Sequence, residues 1–92
     1  MKCRVDFLGM TNHLASIKSV ELQLEGGSTL GHVVEALRSD VPALRGCVIR
    51  GDENRLMPQY GFIVNGRFCV DEYDIDLGDV ERVLLVTLAM GG

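Results

Sequence analysis

The chain has 92 residues, enough for one domain with a modest core and too few for a second. Its 13 Asp+Glu against 9 Lys+Arg leave a net charge of -4, which opposes nonspecific attraction to nucleic acid or to an anionic membrane. The three cysteines, Cys3, Cys47 and Cys69, are odd in number, far apart and free of any C-x-x-C spacing, which fits neither a disulfide framework nor a zinc site and points to a reducing, cytoplasmic setting.

The start, Met1-Lys2-Cys3-Arg4, lacks the apolar core of a signal peptide, and no apolar stretch approaches the roughly 20 residues of a membrane helix. Lys2 to Leu8 alternates, with Cys3, Val5 and Phe7 on one face and Lys2, Arg4 and Asp6 on the other, the pattern of a half-buried strand. Gly9 to Ser16 reads as a turn that includes His13. Ile17 to Leu24 resumes the alternation, with Val20, Leu22 and Leu24 opposite Ser19, Glu21 and Gln23, so the two strands predict an antiparallel hairpin closed by Gly26-Gly27.

Thr29 stands where a helix cap is needed, because Leu30, Val33, Val34, Leu37 and Val41 follow at helical spacing and Pro42 stops the pattern. His32 falls beside that stripe, as a surface or boundary residue. From Ala43 to Pro58 the pattern weakens, with a short strand expected over Cys47-Val48-Ile49-Arg50 and a turn over Gly51-Asp52-Glu53-Asn54. Phe62-Ile63-Val64, Asn65-Gly66 and Arg67-Phe68-Cys69-Val70 form a hairpin signal, since Asn-Gly supplies the two positive φ angles of a type I′ turn. Asp71 to Asp79 suggests a helical turn around Tyr73 and Ile75, within a cluster of acids that ends at Glu81. Val83 to Leu88 is continuously apolar, as suits a central strand covered on both faces.

The order strand, strand, helix, short strand, hairpin, final central strand describes an α+β protein of the β-grasp, ubiquitin-like kind: a mixed sheet with one main helix across one face. A ferredoxin-like βαββαβ arrangement requires a second long helix, for which the acidic segment before Val83 has too few apolar positions. The expected division is a β-grasp domain over 1-88 and a flexible diglycine tail over 89-92.

That tail, Met90-Gly91-Gly92, follows the last strand at once. Glycine has no Cβ, so two in succession make a thin thread able to enter a tunnel that would reject side chains. The threaded group would be the Gly92 carboxylate. Met90 and Leu88 are candidate partner contacts, with core packing equally open for Leu88. The sequence offers no Ser/His/Asp or Cys/His arrangement, no phosphate-binding glycine loop and no metal-ligand spacing.

Thr29-Leu30, Val41-Pro42-Ala43-Leu44, Phe62-Ile63-Val64-Asn65-Gly66 and the run from Leu77 to Gly92 together resemble the ThiS/MoaD family of ubiquitin-like sulfur carriers. The chain differs where family members carry an Asp-Gly-Asp-type turn and late prolines; here stand Asp79-Val80-Glu81 and Thr87-Leu88-Ala89-Met90. The extended Gly46 to Tyr60 region is similar to the longer carriers, such as the molybdopterin synthase small subunit or the cysteine-biosynthesis carrier, more than to the compact thiamine carrier. The resemblance implies a carrier rather than an enzyme. A ubiquitin-activating-like partner would use ATP to adenylate the Gly92 carboxylate, a sulfur donor would convert it to a thiocarboxylate, and a synthase or large subunit would accept the sulfur. No cofactor would reside on the carrier itself. The alternatives are a protein modifier joined to lysines through Gly92, and a noncatalytic subunit that docks by its tail.

Overall fold

A computed structural model describes residues 2-9, 11-78 and 80-88, and the backbone of Met10. Strand β1 (Lys2–Phe7) is followed by a short helix α1 (Met10–Ala15), strand β2 (Ser19–Gln23), the main helix α2 (Leu30–Asp40), a 3₁₀ turn at Pro42–Leu44, strands β3 (Tyr60–Val64) and β4 (Arg67–Cys69), and strand β5 (Arg82–Thr87). The five strands form one sheet in the order β2-β1-β5-β3-β4. β5 lies at its centre, parallel to β1 and antiparallel to β3, as its unbroken apolar sequence requires. The β-grasp architecture expected from the sequence is present.

Alternation decides which face each strand residue occupies. Cys3, Val5, Phe7, Leu22, Phe62, Val83 and Leu85 turn inward and are essentially inaccessible to solvent. They meet Leu30, Val33, Val34 and Leu37, the buried stripe of α2. Thr29 caps that helix together with His32: the Thr29 backbone N–H donates to His32 Nδ1 at 2.9 Å. His32 is thus the exposed residue expected, with a structural task at the helix start. The first hairpin is antiparallel and pairs Lys2 with Gln23 through Asp6 with Ser19. The second turns at Asn65 and Gly66, whose φ angles of 52° and 78° are those of the expected type I′ turn.

Three local expectations are corrected. Gly9 to Ser16 is not a plain turn; it contains α1, with His13 on the helix and Thr11 and Ala15, one helical turn apart, both buried. Cys47-Arg50 is not a sheet strand. Its backbone closes on the loop itself, with Met57 N–H donating to Val48 O and Gly46 N–H to Ile49 O, each at 2.7 Å, while Val48 and Ile49 fill the core. The Asp71-Asp79 segment makes a turn at Tyr73-Asp74 but no helix among its described residues, and two of its carbonyls are used elsewhere. Tyr73 O and Ile75 O accept from Gly31 N–H and Leu30 N–H at the open start of α2, at 2.9 and 3.0 Å.

Candidate functional site

The tail-side half of β5 is anchored on both of its neighbours. At the tail end, Leu88 N–H donates to Gln59 O at 2.7 Å, extending the β3 pairing past Thr87. The Leu85 carbonyl accepts from Leu8 N–H at 3.0 Å and lies 3.1 Å from the buried Thr11 hydroxyl, which also reaches Leu8 O at 2.6 Å. Helix α1 therefore braces the junction of β1 and β5. Thr11 was missed in the sequence because the stretch is too short for a helical period to stand out; the Thr11/Ala15 spacing beside Leu14 was the available signal.

Of the expected site residues, Gly92, Gly91 and Met90 lie outside the described residues. Leu88 is half-buried on the sheet face that carries no helix. A Cβ placed on Gly61 would come within 3.4 Å of Leu88 Cδ2 and 3.3 Å of Val70 Cγ2, so those two side chains close over the glycine. Leu88 thus packs against the outer face of the sheet instead of entering the main core.

That helix-free face has two zones. Toward the tail end it is apolar: Leu84, Val86 and Leu88 follow β5, Ile63 lies beside Leu84, and Phe68 and Val70 are 53% and 43% exposed. Leu84, Ile63 and Leu88 are half-buried and Val86 is buried, so the exposed apolar surface of this zone is carried by Phe68 and Val70. At the other end of the same strands the face is polar. Asp6 is buried between two arginines. Arg4 Nε donates to Asp6 Oδ1 at 2.7 Å, and Arg82 donates to Oδ2 from Nε at 2.5 Å and from Nη2. Burial pushes the Asp6 carboxyl up, but the hydrogen bonds and charges of Arg4 and Arg82 outweigh it and hold the carboxyl below the usual carboxylate range.

Elsewhere the chemistry is quiet. Burial raises the Cys3 thiol; burial and then the Glu72 charge raise that of Cys69. Both are therefore packing residues with little thiolate character. Within the acidic cluster, Glu72 pairs with Arg67 at 2.8 Å and Asp76 Oδ1 accepts from Gly78 N–H at 2.8 Å, so those two serve local structure. Among the described residues no His/Cys/Asp/Glu group could hold a metal ion, and no helix is long and apolar enough to cross a membrane.

The described parts define a small β-grasp domain with one brace-held strand exit and one uncovered sheet face. The chain is similar in fold to SAMP1 from Haloferax volcanii, at 20% identity over 100% of both chains with a TM-score of 0.82. It is also similar to a putative molybdopterin converting factor subunit 1 from Pyrococcus furiosus, at 20% identity over 95% of this chain and 97% of that one, TM-score 0.72. The small archaeal modifier protein SAMP1 of Methanosarcina acetivorans matches at 18% identity over 99% and 96% of the two chains, TM-score 0.71. No protein-family model and no curated protein matches the sequence.

Proposed function

We propose that this protein is a ubiquitin-like sulfur carrier whose reacting group is the carboxyl of Gly92. The observation that carries the reading is the combination of a β-grasp fold with a central strand, β5, that leads through Leu88 directly to the Gly91-Gly92 pair. A carboxylate is a poor electrophile, so a ubiquitin-activating-like partner would first join it to AMP from ATP, releasing pyrophosphate. A persulfide sulfur then displaces AMP from the acyl carbon to give an acyl disulfide, and a thiol reductant attacks the donor's sulfur, leaving with it as a disulfide and freeing the thiocarboxylate. A synthase or large subunit takes that sulfur for a biosynthetic precursor, molybdopterin, cysteine and thiamine being the pathways such carriers serve, and water restores the carboxylate. The domain's part is to hold the thread at a fixed exit and to be recognised. Its own side chains supply no acid, base or nucleophile to these steps, and the reaction takes place in the cytoplasm where ATP and reduced sulfur donors are present.

A second reading is favoured by the neighbours described as small archaeal modifier proteins: conjugation of the same activated carboxyl to lysine amines. Intact mass spectrometry of the protein from its native cells separates the two. Carriage predicts a species heavier by the difference between one sulfur and one oxygen atom. Conjugation predicts branched peptides that join Gly92 to a target lysine. A chain found only as the free carboxylate, fully active after removal of Gly91 and Gly92, would overturn both and favour a subunit that docks without tail chemistry.

A further inference from the structure

The buried Asp6 is not explained by stability. It occupies an outward position of β1 beside Leu84 of β5, where an apolar residue would continue the neighbouring surface and need no compensation. Nor are its ion pairs needed to join β1 to β5, which are already paired from Arg4 with Arg82 through Phe7 with Leu85. What Asp6 does is to set two guanidinium groups side by side. Arg4 and Arg82 spend one edge each on its carboxylate, and their side chains remain 58% and 65% exposed. Nη1 and Nη2 of Arg4 and Nη1 of Arg82 make no hydrogen bond among the described residues. On the strand positions of this face Lys2, Arg4 and Arg82 stand against Asp6 and Glu21, and Asp76 and Glu81 line the same groove as Lys2 and Arg4.

We propose that Arg4 and Arg82, held in place by Asp6, are the specificity anchor by which this carrier is recognised, and that they receive a carboxylate on the surface of the adenylating partner enzyme. This inference rests on the activation reading above. A guanidinium presents a planar fork that matches a carboxylate, and one already immobilised loses less freedom on docking. The anchor lies on the same face as the apolar zone around Leu84 and Val86. A partner that covers that zone meets the arginines at its edge. Asp6 acts through the arginines as a positioning residue and does not itself touch the partner.

The test is ATP–pyrophosphate exchange by the ubiquitin-activating-like enzyme from the same cells, with KM and kcat measured for the carrier across a salt series. The Arg4→Gln/Arg82→Gln double variant is expected to raise KM about tenfold at low salt, the loss typical of one charge pair, with kcat unchanged and a flatter salt dependence of kcat/KM. Asp6→Asn, with both arginines still present but released, is expected to raise KM to a smaller degree. Thermal unfolding of each variant by circular dichroism confirms that folded protein is being compared. A double variant with wild-type KM and salt slope overturns this inference alone. Absence of exchange with the wild-type chain overturns the activation reading and this inference with it.

Discussion

Adjacent leucines on β5 separate the two jobs of the sheet. Leu85 points inward, is fully buried and pairs with Phe7 on one side and Phe62 on the other. Leu84 points to the helix-free face and is half-exposed. For Leu85→Ala the transfer term is three carbon groups at about 0.8 kcal/mol each, roughly 2.4 kcal/mol. A cavity between two aromatic rings and the closed stripe of α2 adds to it, for a total of about 3 to 5 kcal/mol. A domain of this size has only about 5 to 14 kcal/mol in all, so a large fraction of the stability is at stake. With a urea m-value of about 1 kcal/mol per molar, the low end for small domains, the midpoint falls by about 3 to 5 M. Leu84→Ala leaves no closed cavity, because water takes the space, and is expected to cost about 1 kcal/mol or less. It should instead raise the KM for activation while the protein stays folded. Urea unfolding of both variants, with the exchange assay on Leu84→Ala, checks the pair. Equal destabilisation by the two substitutions, or a cost below about 1 kcal/mol for Leu85→Ala, would refute the assignment of faces.

Gly91→Val, four positions beyond the end of β5 in sequence, should leave the free energy of unfolding within about 0.5 kcal/mol of wild type yet abolish adenylation; a wild-type exchange rate would remove the narrow-channel argument. Asp6 has a carboxyl lowered in the folded state, so its contribution is present above the ordinary carboxylate value of about 4 and is lost as pH falls through its folded value. The stability gap between wild type and Asp6→Asn, from urea midpoints at pH 7 and pH 3, should therefore narrow at acid pH, and a constant gap would contradict the ion-pair account. Gly61→Ala gains about 0.4 to 1 kcal/mol from a stiffer unfolded chain but crowds Cys69 O and Val70 Cγ2 at 3.3 Å, leaving stability nearly unchanged. Its expected mark is a shift of the Leu88 methyl resonances in NMR spectra, and unshifted resonances would mean that Leu88 does not close over the glycine.

The parts of the fold that showed in the sequence are those where one period runs unopposed. β1 and β2 alternate cleanly, α2 repeats its stripe between Thr29 and Pro42, and Asn65-Gly66 admits one turn chemistry. What stayed hidden depends on partners distant in sequence. The 71-78 segment is shaped by the N–H groups of Leu30 and Gly31, and Val48 and Ile49 are buried without a strand because the loop closes on its own backbone. The arginine pair was hidden for the same reason: Asp6 and Arg82 are 76 positions apart and meet only once β1 lies beside β5. Sequence could nominate Gly92 as a reacting group, since that needs only the chain; a recognition surface needs the sheet.

The two zones of the helix-free face suit the repeated gripping, activation and release that the proposed function requires. From Arg82 to Leu88 the chain advances six steps, about 20 Å at 3.3 Å per residue, which is well within the width of an ordinary interface of ~800 Å² per partner. The apolar end provides burial, which is non-directional and would serve many partners alike. The arginine end adds what burial lacks, because a docked surface that sets a carboxylate against the guanidinium fork is rewarded and one that sets a cation there is penalised. On the proposed reading, discrimination at the arginine end of the strand is separated along the chain from the reacting carboxyl of Gly92. Selection by the sheet and chemistry at Gly92 could then vary separately, so one activating enzyme could tell this chain from another with the same final glycines.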